Sequence, residues 1–234
     1  MLRKVVKRWW GLLWLLVIPG MVLSLGCQSD KGAASMTPGD LHMKKVVAVG
    51  FLRVLSRAED TGAFTSPLSG SIVFAEPVPM DIIQKMNDIL FEKMAAEKGY
   101  ELVSRKQAIG VYSSIVASDE NVGMPALKIM QEVGKTFNAD AVLAGYIYRW
   151  RELVGKDYAA ESPASVCFDL QLIRPHDGVI IWKSRFDKTQ KSLFENLLDM
   201  GTFLKGGGKW MKVEDLAMIG LDKMVEEMPS GPGK

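Results

Sequence analysis

From residue 44 onward, the spacing of hydrophobic positions alternates between the repeat typical of strands and that typical of helices. Residues 44–55 (KKVVAVGFLRVL) are apolar on both faces, which predicts a strand buried inside a sheet. Apolar residues at helical spacing predict a helix that starts with Asp81 and Gln84 as a capping box and ends at Gly99. The pattern predicts further strands at 100–105, 140–153, 166–174 and 179–187 and further helices at 126–137, 193–200 and 213–228.

Turn-forming residues interrupt this pattern in several places. Residues 58–79 predict a long excursion with few periodic positions, and residues 106–125 are mixed in character. The segment 175–178 (PHDG) predicts the turn of a β-hairpin that joins the last two predicted strands. A second capping box, formed by Ser192 and Glu195, is predicted at the start of the helix at 193–200.

The order of these elements is β-α-β-α-β-β-β-α-α, in which helices first alternate with strands and a hairpin follows. It predicts an α/β (mixed α+β) fold, with one mixed β-sheet of about five strands and helices packed on it. We expect a single domain at 44–229 and a disordered tail at 230–234.

The chain begins with the pattern of a secretory signal peptide, predicted at 1–26. An uncharged run at 9–18 follows a basic segment, and Pro19–Gly20 interrupts the hydrophobic stretch that leads to Gly26. About 18 uncharged positions are also the minimum for a membrane-spanning helix, so an uncleaved anchor is the alternative. The Pro-Gly pair favours cleavage, because it would destabilise a continuous helix. The basic residues are Arg3, Lys4, Lys7 and Arg8.

The segment 23–27 (LSLGC) resembles the bacterial lipobox. Gly26 and Cys27 match it strictly, whereas Ser24 and Leu25 depart from its commonest form. The resemblance implies cleavage between Gly26 and Cys27 and attachment of lipid to Cys27; the alternative is a cysteine placed there by chance. No aspartate follows the cysteine, which by the same resemblance implies the outer membrane of a Gram-negative cell.

Between Cys27 and the domain, residues 28–43 are small, polar and rich in turn formers, which predicts a flexible tether. Its 16 residues span about 20–24 Å on average, so the domain is expected to stay close to the membrane. The signal peptide holds four basic residues, which leaves 25 basic against 27 acidic residues in the mature chain. This near-neutral charge argues against a nucleic-acid partner.

Cysteines and histidines offer no chemical site. With Cys27 lipidated, Cys167 cannot form an intramolecular disulfide, and it is interpreted as a packing residue, a disulfide-linked dimer being the alternative. His42 and His176 lie in the tether and in a turn, without metal-ligand spacing or a nucleophile partner. No catalytic, metal-binding or cofactor-binding residue and no cofactor is therefore predicted, and an enzyme is not expected.

Three further patterns have two interpretations each. Residues 205–209 (KGGGK) follow a helix and precede Trp210, so a flexible loop is favoured over a phosphate-binding loop. Asp187 and Gln190 lie near a strand end, where they predict either a strand-to-helix cap or a ligand site. Four aromatic residues predict half-buried packing or an exposed partner surface: Tyr146, Tyr148, Trp150 and Trp182.

Residues 44–190 resemble the periplasmic domains of the lipoproteins LpoB, a penicillin-binding-protein activator, and CsgG, a curli-secretion protein, and the N-terminal domain of TolB. The strand at 44–55, the helix with its following strand at 81–103, and above all 134–152 (GKTFNADAVLAGYIYRWRE) carry the resemblance. It implies a non-catalytic domain that binds protein partners at the envelope. LpoB-like activators use a long linker, whereas the short tether here favours a position at the membrane, as in CsgG-like assembly proteins. Residues 58–79 are the only candidate for a CsgG-like membrane hairpin.

The sequence therefore predicts an outer-membrane lipoprotein on the periplasmic face, held by its lipid, that acts as an adaptor or assembly factor for an envelope complex. The partner protein is not identified, and a homo-oligomer is left open. The alternative functions are an oligomeric subunit of a secretion or export channel and, third, a periplasmic hydrolase or ligand-binding protein.

Overall fold

The computed structural model describes residues 43–54, 60–156, 159–190 and 211–232. All of them belong to one compact unit, residues 36–234. The signal peptide with Gly26 and Cys27, His42 and nearly all of the tether lie outside the described residues, as do the predicted helix at 193–200, its capping box and the glycine-rich loop at 205–209.

Nine strands and four helices follow one another in the described parts of the chain. They are β1 (Lys45–Arg53), β2 (Gly62–Thr65), β3 (Ile72–Ala75), α1 (Met80–Glu97), β4 (Glu101–Val103), α2 (Arg105–Ala117), α3 (Ala126–Thr136), β5 (Ala141–Arg151), β6 (Val154–Lys156), β7 (Ala159–Ser162), β8 (Ser165–Ile173), β9 (Ile180–Thr189) and α4 (Val213–Glu227). A short 3-10 turn, Asp119–Asn121, lies between α2 and α3.

Five of the strands form one mixed sheet in the order β4-β1-β5-β8-β9. β1 pairs in parallel with β4 and β5, and β8 pairs antiparallel with β5 and β9. Helical crossovers link the parallel strands, and the turn at 175–178 joins β8 to β9, as the sequence predicted. The predicted mixed α/β fold with one five-stranded sheet is confirmed.

Both faces of the sheet are covered, which explains why β1 and β5 are apolar on both sides. Helices α1 and α4 pack on one face, which includes Val46, Leu143 and Phe168. Helices α2 and α3 and the β2–β3 hairpin pack on the other, which includes Val47 and Tyr148. None of the helices in the described residues combines the length and the apolar character needed to cross a membrane.

The predicted excursion at 58–79 contains a β-hairpin that the sequence pattern did not reveal. Its strands β2 and β3 pair antiparallel from Gly62–Ala75 to Thr65–Ile72. Four residues per strand are too few to establish a two-residue repeat, and this is why the pattern indicated only turns. Helix α2 was missed within the mixed segment 106–125 for a related reason, since Ala108 is its one fully buried side chain.

The capping box predicted at Asp81 and Gln84 is wrong. Helix α1 begins one residue earlier, at Met80, with Pro79 at the N-cap position and no side-chain hydrogen bond to the first turn. Pro79 has a backbone φ of −57° that suits a helix start, so the helix needs no carboxylate cap there. Gln84 is exposed on the helix surface.

Residues 228–231 pack on the domain at the junction of α1 and β4. The backbone N–H of Gly231 donates to the carbonyl of Lys98 at 2.7 Å, and Lys98 Nζ donates to the carbonyl of Met228 at 2.7 Å. Tyr100 Oη donates to the carbonyl of Pro229, and burial raises the pKa of Tyr100 to about 12. The predicted disordered tail, 230–234, therefore includes an ordered contact at Gly231.

Candidate functional site

A buried polar cluster lies on the sheet face beneath the β2–β3 hairpin. Strand β8 alternates as the sequence indicated, with Phe168, Leu170 and Leu172 directed toward α1 and α4. On the opposite side, Asp169 and Gln171 are only 2% and 1% exposed. Charged and amide side chains are seldom buried this completely unless hydrogen bonds compensate.

Three donors surround the Asp169 carboxylate. The backbone N–H of Tyr146 donates to Oδ1 at 3.1 Å, and Gln171 Nε2 donates to Oδ2 at 3.3 Å. The Tyr148 hydroxyl donates to Oδ2 at 2.7 Å and lies 2.7 Å from Ser66 Oγ. Because the single phenol proton points to the carboxylate, Ser66 donates to Tyr148. The hairpin thus connects to the sheet through a chain of buried hydrogen bonds.

Burial raises the pKa of Asp169, and the hydrogen bonds from Tyr148 and Tyr146 oppose this effect only in part. The Arg185 guanidinium, 3.7 Å from Asp169 Oδ2, also lowers this pKa. Arg185 lies over the Tyr148 ring at 6.0 Å from the centroid. Burial, followed by the charge of Asp169, raises the pKa of Tyr148, so its hydroxyl stays protonated and acts as a donor.

A cavity of about 290 Å³ opens beside this cluster. The hairpin turn forms one wall, strands β8 and β9 form the floor, and all seven lining residues are polar: Ser69, Ser71, Asp169, Gln171, Lys183, Ser184 and Arg185. Gln171 Oε1 is buried and has no hydrogen-bond partner. The arrangement combines an unused acceptor with two cationic side chains, and it can bind a small polar ligand.

Asp169→Asn should change how stability depends on pH. An aspartate in the unfolded chain ionises near pH 4 (a reference pKa of about 3.9), whereas folded Asp169 ionises at higher pH. Its stabilising contribution is therefore greatest below about pH 4 and falls as the pH rises through the folded pKa. In urea unfolding between pH 4 and 7, the stability of Asp169→Asn should rise relative to that of the unsubstituted protein as the pH increases.

Asp177→Asn is the control, because the contribution of Asp177 to stability depends on pH in the opposite direction. Arg174 lowers the pKa of Asp177 to about 2, so its contribution is present above about pH 4 and is lost as the pH falls toward 2. Parallel stability curves for Asp169→Asn and the unsubstituted protein across pH 4 to 7 would contradict the assignment of Asp169.

Arg149 holds the hairpin and two strands together. Its guanidinium donates to Ser165 Oγ at 2.7 Å, to Asp187 Oδ1 at 2.5 Å and to the Phe74 carbonyl at 3.5 Å. The side chain is buried, so these contacts replace the water it lost on folding. A backbone hydrogen bond of 2.7 Å from Glu76 to Tyr148 adds a further attachment. The hairpin is therefore firmly fixed to the sheet.

The outward face of this hairpin is largely apolar. Ile72 is 75% exposed and Phe74 is 49% exposed, and they lie opposite Thr65 and Ala63, respectively, on β2. We call these four side chains the hairpin face. Two large apolar side chains lie side by side on this exposed surface, where they are available for contact with another molecule.

The residues that the sequence singled out have structural roles where they are described. Asp187 Oδ1 accepts a hydrogen bond from the Arg149 guanidinium, and Gln190 Oε1 accepts a hydrogen bond from the Met211 N–H at 2.8 Å. The strand-to-helix cap cannot be placed, because residues 191–210 lie outside the described residues. Cys167 is fully buried, as predicted for a packing residue, and burial raises its pKa to about 12. The His176 side chain is 86% exposed in its turn.

The four aromatic residues pack as predicted. Tyr146, Tyr148 and Trp150 are at most 8% exposed, and Trp182 is half-buried beside the core formed with α1 and α4. They therefore do not form the exposed partner surface that was the alternative. In the described parts of the chain, no group of three or more His, Cys, Asp or Glu side chains is placed to hold a metal ion.

Sequence reasoning missed the serines of the cavity and the hairpin face. Ser66, Ser69 and Ser71 lie in a segment interpreted as turns, and their role depends on strands that pair across the sheet. The polar side of β8, with Asp169 and Gln171, was recognised in the sequence, but its burial, which marks the site, depends on the hairpin that the sequence pattern did not reveal.

No family model matches the chain, and no curated protein matches it either. Among solved structures, the LpoB C-terminal domain from Salmonella enterica aligns with 65% of this chain and 87% of its own, at 14% identity and a TM-score of 0.37. The chain is similar in fold to LpoB. The resemblance to LpoB indicated by the sequence is thus confirmed, whereas the CsgG and TolB parts stay predictions.

Two other solved structures are also similar. A PelC dodecamer from Paraburkholderia phytofirmans aligns with 80% of this chain and 88% of its own, at 14% identity and a TM-score of 0.41. Lipoprotein GNA1162 from Neisseria meningitidis aligns with 70% of this chain and 92% of its own, at 12% identity and a TM-score of 0.39. Likenesses this distant carry no argument about ligand, partner or assembly.

Proposed function

We propose that this chain is a lipid-anchored periplasmic protein of the outer membrane that acts without catalysis as an adaptor or assembly factor for an envelope complex. The observation that carries the proposal is the hairpin face, because Ile72 and Phe74 are exposed on a hairpin that is fixed to the sheet. A rigid apolar surface loses little conformational entropy when a partner binds.

The start of the chain supports the location. Cys27, preceded by Gly26, is the lipidation residue in this proposal, and the signal peptide ends at Gly26. The tether of 16 residues holds the domain within about 20–24 Å of the membrane on average. A partner must therefore also lie at the periplasmic surface of the outer membrane.

The size of the hairpin face favours a different protein over a second copy of this chain. Four residues on each of two strands cover about 14 Å by 10 Å. A stable interface buries roughly 800 Å² on each partner, which is several times this area. The hairpin face is thus suited to the exchangeable contact of an adaptor more than to the permanent contacts of a channel ring. Its occupant is an apolar segment of a partner protein.

Replacing Thr65 with a photoreactive phenylalanine analogue in the full-length chain tests the proposal in cells. We expect a cross-link to another envelope protein, reduced at least about tenfold by Ile72→Ser combined with Phe74→Ser because the apolar contact is lost. Val122→Ser is the matched control, since Val122 is 84% exposed and follows the 3-10 turn between α2 and α3, outside the hairpin. Mass spectrometry identifies the cross-linked chain.

Two outcomes would contradict the proposal. A cross-link to a second copy of this chain would favour the channel subunit, and an undiminished cross-link in the double variant would exclude the hairpin face as the contact surface.

Cell fractionation tests the lipid anchor in a separate experiment. Cys27→Ala should prevent lipid attachment and cleavage at Gly26, and membrane sedimentation of a processed Cys27→Ala chain would contradict the lipoprotein assignment.

A further inference from the structure

We propose that the cavity between the hairpin turn and strands β8 and β9 binds the carboxyl-terminal residue of a peptide chain. This site lies on the inner side of the hairpin turn and is distinct from the hairpin face. In it, Lys183 and Arg185 bind the terminal carboxylate, and Gln171 accepts the N–H of the same residue. We call this cavity the carboxylate pocket.

Gln171 supplies the first requirement, an acceptor without a partner. Its Nε2 lies 3.3 Å from Asp169 Oδ2, and this fixes the orientation of the amide, because a flipped amide would bring two oxygens together. Oε1 is left buried and unpaired, although the residue lines the cavity. An unpaired buried acceptor is unfavourable, so a ligand that brings a donor to it gains affinity.

The charges supply the second requirement. Lys183 and Arg185 line the cavity, and Asp169 is the one carboxylate among the cavity residues, which leaves a net positive charge there. Asp169 accepts hydrogen bonds from Tyr146, Tyr148 and Gln171 and forms an ion pair with Arg185 at 3.7 Å, so its oxygens are already occupied and Lys183 supplies the excess positive charge. Ser71 Oγ accepts from Ser69 Oγ at 3.1 Å, and its own proton can be donated to the ligand. The cavity therefore favours an anion that also carries a donor.

The positions of these groups favour a chain terminus over an acidic side chain. Gln171 and Lys183 are directly paired across β8 and β9, as are Asp169 and Arg185. Cβ atoms of such pairs lie about 4.5–5.5 Å apart. In a C-terminal residue, the carboxylate and the N–H are attached to the same carbon, so a single residue can contact both members of a cross-strand pair. In a glutamate, the side-chain carboxylate is two bonds farther from the N–H. A cavity of about 290 Å³ admits one or two residues.

Acetyl-Ala-Ala is the probe for this proposal, measured by saturation-transfer NMR on the full-length chain in detergent. We expect a Kd on the order of 1 mM for a ligand this small. Acetyl-Ala-Ala-amide, which lacks the carboxylate, should bind at least about tenfold more weakly. Acetyl-Ala-Glu-amide, which has only a side-chain carboxylate, should also bind more weakly. Equal binding of either amide would overturn the proposal, as would the absence of acetyl-Ala-Ala binding at about 10 mM.

Two variants connect the binding to the pocket. Lys183→Gln removes one exposed cation, and Gln171→Leu removes the acceptor, and each should weaken acetyl-Ala-Ala binding about tenfold. Lys183 is exposed, so its substitution remains informative if Gln171→Leu fails to fold. Lys223→Gln is the control, because Lys223 lies on α4, which packs on the opposite face of the sheet. Unchanged binding by Lys183→Gln would overturn the proposal.

Discussion

Gly145→Ala should destabilise the domain by about 3 kcal/mol or more, and this is the largest effect we expect from a single methyl group. A Cβ atom at Gly145 would lie 1.9 Å from the backbone carbonyl oxygen of Asp169. Gly145 pairs with Leu170 between the central strands β5 and β8, so neither backbone can move without disrupting the sheet. Urea unfolding, followed by circular dichroism, measures the loss.

Gly110→Ala is the matched control. Gly110 lies in helix α2, and nothing lies within 4 Å of the Cβ that the substitution would add. Alanine is favoured over glycine inside a helix by roughly 0.5–1 kcal/mol, so this variant should gain stability. If Gly145→Ala unfolded at the same urea concentration as the unsubstituted chain, this result would contradict the close approach of β5 and β8 at Gly145.

Asn87→Ala should destabilise the domain by about 2–4 kcal/mol, because it leaves two buried backbone groups unpaired. Asn87 Oδ1 accepts from the Phe51 N–H at 2.7 Å, and Nδ2 donates to the Phe51 carbonyl at 2.9 Å. Strand β4 pairs with β1 only as far as Val47, so at Phe51 the amide takes the place of a neighbouring strand. The same unfolding measurement detects the loss.

Two further variants separate hydrogen bonding from packing. Gln84→Ala, on the exposed side of the same helix, should stay within about 0.5 kcal/mol of the unsubstituted protein. Asn87→Leu keeps the branched shape at Cγ without the hydrogen bonds and should be about as unstable as Asn87→Ala. Recovery of stability in Asn87→Leu would show that Asn87 acts through packing alone.

Elements with long hydrophobic repeats could be predicted from the sequence. Strands β1 and β5 are apolar on both faces because the sheet is covered on both sides, and α3 and α4 follow helical spacing. Helix α1 was predicted as well, but its first turn was misassigned because Pro79 can start a helix without a side-chain cap. Short elements such as β2 and β3 depend on contacts with distant strands, which periodicity does not record.

The carboxylate pocket could be predicted only in part, for the same reason. The alternation of β8 places Asp169 and Gln171 on one side of the strand. Their burial depends on the hairpin, whose Ser66 reaches Tyr148 over 82 positions of sequence. Lys183 and Arg185 lie on the same face as Asp169 and Gln171, a relation that follows from the register of β9 against β8. Side-chain chemistry was visible in the sequence, whereas register and enclosure were not.

The contact of Gly231 with Lys98 has a consequence for the order in which the chain is made. Helix α4 packs on strands β8 and β9 and beside α1, on the face of the sheet whose core also includes residues of β1. This side of the core is therefore completed only by residues far along the chain from β1, and it cannot finish folding before residue 231 is available. An interrupted chain that ends before α4 would expose this apolar face and be open to proteolysis.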